Sequence, residues 1–532
     1  MRENTIDSVE RDPFVENWRK FWKEAIPESG PELIVGLVAP LGVDLDGVRD
    51  ALRASFGIFH YQFEYTVLSD WLKELSSALI GRAPAAQPEH KRIEDMQDIG
   101  NELRKRLQDP AAAASLACLE IRKRRIQRTG KWYAQSARRV YVVRSLKRPE
   151  ELSKMRSVYG RGFLALAVYT PRKQRTEYLK RLDRDGAPAS EVAQVVDRLL
   201  ERDEFESEDE HVQDVRDTFY RADAFVDASD RDHLRGQIDR FVELIFGHPW
   251  RTPTTEEQAM MLADVARLRS AAPYRQVGAA LVRKTGEIVA IGCNDVPRPG
   301  GGLYWEGDPD DKRDFQLGID LSEEKKREAL KEILEKLGEE KLLSVDVGTL
   351  TTGAKLAELM EALKSTRLAN LIEFFRTTHA EMEAMASAAR VGSEVRDSIL
   401  CSTTFPCHEC TRNIVAAGIS RVIFVEPYPK SLAPDLFRDI ISVDKSGASS
   451  NSIAFNPFVG IGPRLYRDVF DFRKRRDGTR LASRPLPEAK PRFGLYEPGS
   501  LVNEMLEAER LRQSLIEKGI TTEDELKRLS PT

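Results

Sequence analysis

The chain has 532 residues, with 82 Lys and Arg against 86 Asp and Glu, a formal net charge of −4. That near balance argues against a protein living mainly on phosphate backbones, which usually shows a basic excess or a clustered basic face. With 41% hydrophobic and 32% charged residues the composition excludes disorder throughout, and at roughly 150 residues per domain the length suggests about two to four domains.

The amino terminus, MRENTIDSVERDPF, lacks the basic and apolar regions of a secretory signal, and the longest charge-free apolar stretch, Leu33 to Val43, is too short to span a bilayer. A cytoplasmic protein with no membrane partner is expected. Cys118, Cys293, Cys401, Cys407 and Cys410 are odd in number and scattered, which fits a reducing compartment and excludes a disulfide framework.

In chain order, LIVGLVA (33–39) reads as a buried strand, and Pro40, Gly42 and Asp44 turn it into a helix carrying Val48, Leu52 and Phe56. Strand, glycine turn and helix open a phosphate-binding unit, and Gly36 and Gly42 are its candidate nucleotide-binding positions. A working Walker A loop needs Gly-Lys-Ser/Thr at its end, and GLVAPLGVDLDG has neither the lysine nor the hydroxyl. Phosphoryl transfer is therefore not expected, and the loop either binds a nucleotide phosphate through backbone amides or is scaffolding.

Ile93, Met96, Ile99, Leu103 and Leu107 follow at near-helical spacing, then a strand at RVYVV, a helix opened by Pro149 with Glu150 and Glu151, and a strand at GFLALAVY. This alternation predicts a doubly wound α/β domain. The basic run PRKQRTEYLKR reads as a phosphate-sensing lid or a solvated helix face, and ERDEFESEDEHVQD as a solvated acidic segment. A boundary falls at GHPWRTPTT, where Thr254 and Glu257 make a capping box for a new helix.

The second half reads as a helix (AMMLADVARLRS), a hairpin (QVGAALVR and IVAIGCN), a helix from Glu381, a strand (SILCST), a helix from Cys407 and a strand (RVIFVE). An insertion at 297–376 holds a Gly-rich piece and the charged helix SEEKKREALKEILEKLG, and its length implies structure of its own or cover over a site. Tyr304 and Trp305 within it line a site mouth or pack in a core. The expected domains are 1–245, 250–480 and a helical tail at 481–532.

Chemistry concentrates at RTTHAEMEA and TTFPCHECTRN. A catalytic zinc needs three protein ligands and an open position, and His379, Cys407 and Cys410 supply an accepted set. His408, between the two cysteines on one turn, points away from a metal they hold. Both pieces look like helix starts, whose free N–H groups and positive dipole end favour a thiolate. Glu381, two residues past His379 and not a ligand, is placed to move the proton of a zinc-activated water. His-x-Glu with Pro-Cys-x-x-Cys is the pattern of zinc nucleobase deaminases. The competing readings are a redox pair, or a structural zinc with Cys401 or Cys293 as fourth ligand.

RQVGAALVRKTGEIVAIGCNDVP, HAE and PCHEC resemble the deoxycytidylate deaminase branch of the cytidine deaminase superfamily. The resemblance implies a three-layer α/β/α cytidine deaminase-like domain, one catalytic Zn²⁺, Asn294 on the deoxyribose and Arg275 on a phosphate. Tyr428, in VEPYPKS, either stacks on the pyrimidine or packs at a strand end. NELRKR, SLKRPEELSKMRSVYGRGF, VRDTFYRADAFV, RQVGAA, GGGLYW and EPYPKS, in this order, resemble the bacterial anti-phage deoxycytidine nucleotide deaminases. That implies a P-loop kinase-like domain fused to a deaminase of dCTP, sometimes also dCMP, that depletes the DNA precursor pool. A homo-oligomer is expected, with an inhibitor or phage trigger acting through the first domain. The alternatives are a housekeeping dCMP deaminase and a nucleic-acid cytosine-editing deaminase.

Overall fold

A computed structural model of the chain describes Pro27 and residues 29–182, 189–204, 211–363, 366, 374–428, 431–443, 452–472, 475–477, 479–492 and 499–525. Two compact units are formed, one from 1–257 with 459–532 and the other from 258–458.

The first unit opens with β1 (Leu33–Val38), α1 (Leu45–Ile58), β2 (Gln62–Val67), β3 (Arg139–Arg144), β4 (Phe163–Tyr169), α2 (Ala189–Glu204), β5 (Ala224–Asp227) and α3 (Arg231–Ile245). The strands lie in the order β5-β4-β1-β3-β2, every pairing parallel. β1 sits inside the sheet and is buried on both faces, which is why LIVGLV is a continuous apolar run without alternation. On one face Val35 and Leu37 meet Val48, Leu52 and Phe56 of α1 and Leu234, Ile238 and Phe241 of α3. The Asp44 carboxylate caps α1, accepting from Asp46 N at 3.2 Å and Gly47 N at 3.3 Å.

Sequence reading passed over β2, whose QFEYTV run is half exposed and interrupted by a glutamate, and β5, only four residues long. The segment 201–214, expected to be solvated, is not so at every described position. Residues 205–210 lie outside the described residues, but Asp203 is 2% exposed. Its carboxylate accepts from Leu41 N at 2.7 Å and Lys147 Nζ at 2.8 Å.

The second unit is built from α4 (Thr255–Arg267), which starts at the boundary, then β6 (Gly278–Val282), β7 (Ile288–Cys293), α5 (Leu321–Glu339), α6 (Ala380–Arg390), β8 (Ile399–Thr404), α7 (His408–Ala416), β9 (Arg421–Glu426), β10 (Ile441–Val443) and β11 (Ile453–Pro457). The capping box at α4 forms as the sequence indicated, with Thr254 N on Glu257 Oε2 at 2.8 Å and Glu257 N on Thr254 Oγ1 at 3.1 Å. The sheet order is β10-β11-β9-β8-β6-β7, antiparallel around β6 and parallel from β8 onward.

Two glycines show the layers. Gly278 and Gly292 point to opposite faces, since Gly278 pairs with Cys293 and Ala279 with Gly292. A Cβ at Gly278 would fall 1.9 Å from the Ala263 carbonyl oxygen of α4, and one at Gly292 2.4 Å from the Ala380 oxygen of α6. Helices therefore press on both faces, α4 on one and α6 on the other, in a helix–sheet–helix sandwich. Within the insertion, Leu330 and Leu334 of α5 pack with Leu356 as a small core of their own.

The chain then returns to the first unit with β12 (Gly460–Ile461), antiparallel to β5, and ends in α8 (Gly499–Glu517). The expected boundary at 480 thus gives way to one at 458, and the tail is an integral part of the first unit. Arg125, Glu32 and Glu504 explain why: all three side chains are fully buried, and the guanidinium bridges Glu32 to Glu504 of α8. No helix among the described residues is long and apolar enough to cross a membrane.

Candidate metal centre

The donors stand at two helix starts, His379 and Cys407 at the N-cap positions and Cys410 in the first turn after Cys407. His379 is the N-cap of α6 and Cys407 the N-cap of α7, where its sulfur accepts from Cys410 N at 3.4 Å. The approach to His379 is fixed by a two-way backbone bridge between Asp295 and Thr378. The loop into Cys407 is pinned by Phe405 N on Glu426 O at 2.7 Å and by Ser431 Oγ on Pro406 O at 2.9 Å.

His379 Nδ1 lies 3.2 Å from Cys407 Sγ and 3.3 Å from Cys410 Sγ. Tetrahedral zinc with Zn–S near 2.3 Å and Zn–N near 2.0 Å would set neighbouring donors about 3.5 Å apart. The set of two soft sulfurs and one imidazole therefore fits zinc in chemistry and spacing, and no fourth protein ligand joins it among the described residues. Cys293, Cys401 and His408 stay outside, which leaves a position open as catalytic sites require.

Electrostatics support the same assignment. The hydrogen bond from Cys410, followed by the interaction with His379, drives Cys407 down to about 4 despite its burial. Cys410, donating to Cys407 and buried near Glu381, is pushed up. Burial, the largest single influence, would lower His379, but its hydrogen bond to Cys407 together with the charges of Cys407, Glu381 and Glu409 raises it. Glu381 is 4% exposed. Burial, joined by repulsion from Cys407, holds its carboxyl above the usual range. Its Oε1 lies 3.5 Å from Ser402 Oγ and its Oε2 3.4 Å from Cys410 Sγ. A buried carboxyl beside a metal position is placed to take and return a proton.

The structure gathers Arg275 and Tyr428 at one edge of this centre. The Arg275 guanidinium pairs with Glu426, donates to Thr404 Oγ1 at 3.2 Å and sits 5.9 Å from the Tyr428 ring centre. Asn294 is tied to the same segment, its Nδ2 donating to Arg275 O at 2.7 Å and its Oδ1 accepting from Val277 N at 2.7 Å. Sequence reading missed Ser402, Thr404 and Glu426. The first two share one face of β8 with buried Leu400, so the two-residue period could have flagged them. Glu426 at the end of β9 carried no signal of its own. Tyr304 is buried, whereas Trp305 is exposed with the Arg269 guanidinium 3.5 Å over its ring.

A cleft of about 560 Å³ flanks the centre, lined by Phe375 to His379, Met382, Glu409, Cys410, Arg412 and Asn413. In the first unit, Gly36 and Gly42 lie against neighbouring parts of the chain. A Cβ at Gly36 would meet Leu146 at 2.7 Å inside the sheet layer. At Gly42, φ is +85° and the Arg175 carbonyl oxygen lies 2.9 Å from an added Cβ. A cleft of about 690 Å³ in that unit is lined by residues 77–81, Asp98, Asn101, Glu102, Lys105, Arg106, His211 and Val212, without either glycine.

Residues 253–426 match the family described as the cytidine and deoxycytidylate deaminase zinc-binding region. The deoxycytidylate deaminases of Enterobacteria phages T2 and T4 are each 36% identical over 53 residues, 10% of this chain. The chain spans 28% of the length of these relatives. Among solved structures, dCMP deaminase from the cyanophage S-TIM5 in apo form is 15% identical, covering 39% of this chain and 100% of that one, with a TM-score of 0.21. Its complex with dCMP and dUMP is 16% identical over 39% and 99% of the two chains, TM-score 0.22. A deaminase/reductase from Thermotoga maritima is 18% identical over 40% and 38%, TM-score 0.20. The matched region contains all three donors and Glu381, so the second unit carries a deaminase-type zinc-binding region and the metal of this centre is zinc.

Proposed function

We propose that the second unit hydrolytically deaminates free deoxycytidine nucleotides, dCTP to dUTP and dCMP to dUMP. The observation that carries this reading is the buried Glu381 carboxyl, whose Oε2 lies 3.4 Å from Cys410 Sγ beside the His379–Cys407–Cys410 donors. When bound, zinc lowers the pKa of a water to about 7 and makes a nucleophile available at neutral pH. Glu381 would take a proton from the attacking water and deliver it to N3 as the water oxygen bonds to C4. It would then take the proton of the hydroxyl now on C4 and deliver it to the exocyclic amine, so that the C4–N bond breaks, the C4=O double bond forms and ammonia leaves: cytosine and water become uracil and ammonia. Ser402 orients the Glu381 carboxyl.

Arg275 supplies the phosphate cation and Tyr428 stacks on the pyrimidine. After its two backbone bonds, Asn294 retains one amide hydrogen and one lone pair, enough to read a deoxyribose hydroxyl. The matched T2 and T4 relatives are deoxycytidylate deaminases, which supports dCMP as one substrate. The resemblance supports dCTP and removal of the DNA precursor pool as anti-phage defence in the cytoplasm, in a homo-oligomer controlled by an inhibitor or phage trigger. It also supports a degenerate P-loop kinase-like first unit. Asp203, seated on Leu41 N, favours scaffolding over phosphate binding at the Gly42 loop.

The test is a substrate panel: zinc-loaded protein with dCTP, dCMP, deoxycytidine and a cytosine-containing single strand, following ammonia and the uracil product. Turnover of the free nucleotides alone is expected. Turnover of the strand equal to that of dCTP, falling steeply with salt, would overturn the reading in favour of a nucleic-acid editor.

A further inference from the structure

Asp295 is 1% exposed and follows Asn294 out of β7. Its main chain bonds Thr378 in both directions, N–H to O at 3.3 Å and O from N–H at 2.9 Å, immediately before His379. Its carboxylate accepts from Val296 N at 2.8 Å and Ala271 N at 3.3 Å. Among the described residues the cation in ion-pair contact with it is Arg313 of the insertion, at 3.7 Å. Arg313 is itself 8% exposed and is aimed by Asp311, which takes its Nε and a terminal nitrogen at 3.0 and 2.6 Å. On the other side of the bridge, Arg376 donates to Asp314 Oδ1 at 2.7 Å and to Lys312 O at 3.0 Å. Three consecutive insertion residues, Lys312 to Asp314, thus clip both strands of the bridge that leads into a zinc ligand.

We propose that Arg313 is a positioning residue for the metal centre. By neutralising Asp295, the insertion holds the Asp295–Thr378 bridge and so seats the His379 imidazole between Cys407 and Cys410. Without the guanidinium, Asp295 is a buried charge without that counter-ion, and the water it then draws in loosens the bridge. Asn294 adjoins Asp295, so the same clip holds the Arg275–Val277 segment at the substrate edge. The inference rests on the zinc centre and not on which nucleotide is the substrate.

The experiment reads zinc transfer from the full-length zinc-loaded protein to a chromogenic chelator, without substrate, for wild type, Arg313→Gln, Arg313→Lys, Asp295→Asn and Asp295→Asn with Arg313→Gln. Loss of the support behind a metal ligand typically costs about 10- to 100-fold in metal affinity, and Arg313→Gln is expected in that range. Arg313→Lys should recover most of the loss. The double variant should hold zinc more tightly than Arg313→Gln because the charge stranded on the bridge itself is gone, Asp311 losing its partner equally in both, a coupling that a purely additive effect would not show. Should Arg313→Gln fail to fold, recovery of folding and of zinc by the double variant is the same predicted coupling. Zinc affinity of Arg313→Gln equal to wild type, or a double variant no better than Arg313→Gln, would overturn the proposal. A protein that holds zinc normally yet turns over no cytosine nucleotide would count against the proposed activity alone.

Discussion

Glu381→Gln isolates the proton chemistry from the metal. The side chains have the same shape, so the amide oxygen can keep the Ser402 contact while the NH2 group faces the Cys410 sulfur that now lies 3.4 Å from Oε2. Zinc content and folding should therefore match wild type. What disappears is the capacity to hold a proton between water, N3 and the departing amine. General acid–base catalysis contributes about 10²- to 10⁴-fold, and because two transfers pass through one carboxyl the upper end is expected, about 5 kcal/mol of barrier. The assay is steady-state ammonia release from dCTP and dCMP, with zinc per chain measured on the same samples. Wild-type kcat/KM should also fall on acidification as the Glu381 carboxylate is protonated, above the ordinary Glu value because burial raises it, and this acid limb should vanish in the variant. A Glu381→Gln protein with full zinc and a rate within about tenfold of wild type would refute the reasoning.

Cys410→Ser removes one of two sulfurs, and zinc per chain should drop well below one together with activity. Arg275→Gln should raise KM for nucleotides far more than it lowers kcat, whereas an equal fall in both kcat and kcat/KM would place Arg275 in the chemistry instead. Gly292→Ala puts a methyl group 2.4 Å from the α6 backbone, so α6 must shift, at about 1–3 kcal/mol of stability and with weaker zinc retention. Arg125→Met strands two fully buried carboxylates and should cost about 3–5 kcal/mol in urea unfolding of the first unit, against a smaller loss for Glu504→Gln, which leaves a balanced Arg125–Glu32 pair. The pH dependence follows from Glu32, which burial raises above 4.5 in the fold: the folded state binds that proton more tightly, so its contribution is present below 4.5 and lost as pH rises through the raised value. Arg125→Met, lacking the opposing guanidinium, should recover stability on acidification from pH 7, and a deficit unchanged with pH would refute this.

The metal centre was legible because its chemistry is local. Donors at helix N-caps, a proline before Cys407 and a glutamate two residues past His379 are all short-range, and their residue types are what a tetrahedral soft-borderline ion requires. The hairpin β6–β7 and strand β9 were legible because apolar runs there are bounded by turns. β2 and β5 were not, since one alternates weakly and the other is too short for periodicity to register. Asp203 read as one charge in an acidic run, and only its position against Leu41 and Lys147 makes it a buried hydrogen-bond acceptor. The boundary misplaced at 480 has the same origin, because β12 is two residues long and its pairing with β5 spans more than 200 positions of sequence.

The His379, Cys407 and Cys410 set, Glu381 two residues beyond the histidine and the α/β character of both halves could be read along the chain, because each depends on residue type and spacing within a few turns. Tertiary structure alone decided what surrounds them: Ser402 behind Glu381, Glu426 and Thr404 on Arg275, the return of the last segment to the first unit, and an arm of the insertion placing Arg313 on Asp295. Those contacts join residues about 20 to more than 200 positions apart. Their energy comes from desolvation and pairing at a distance, which no local pattern encodes.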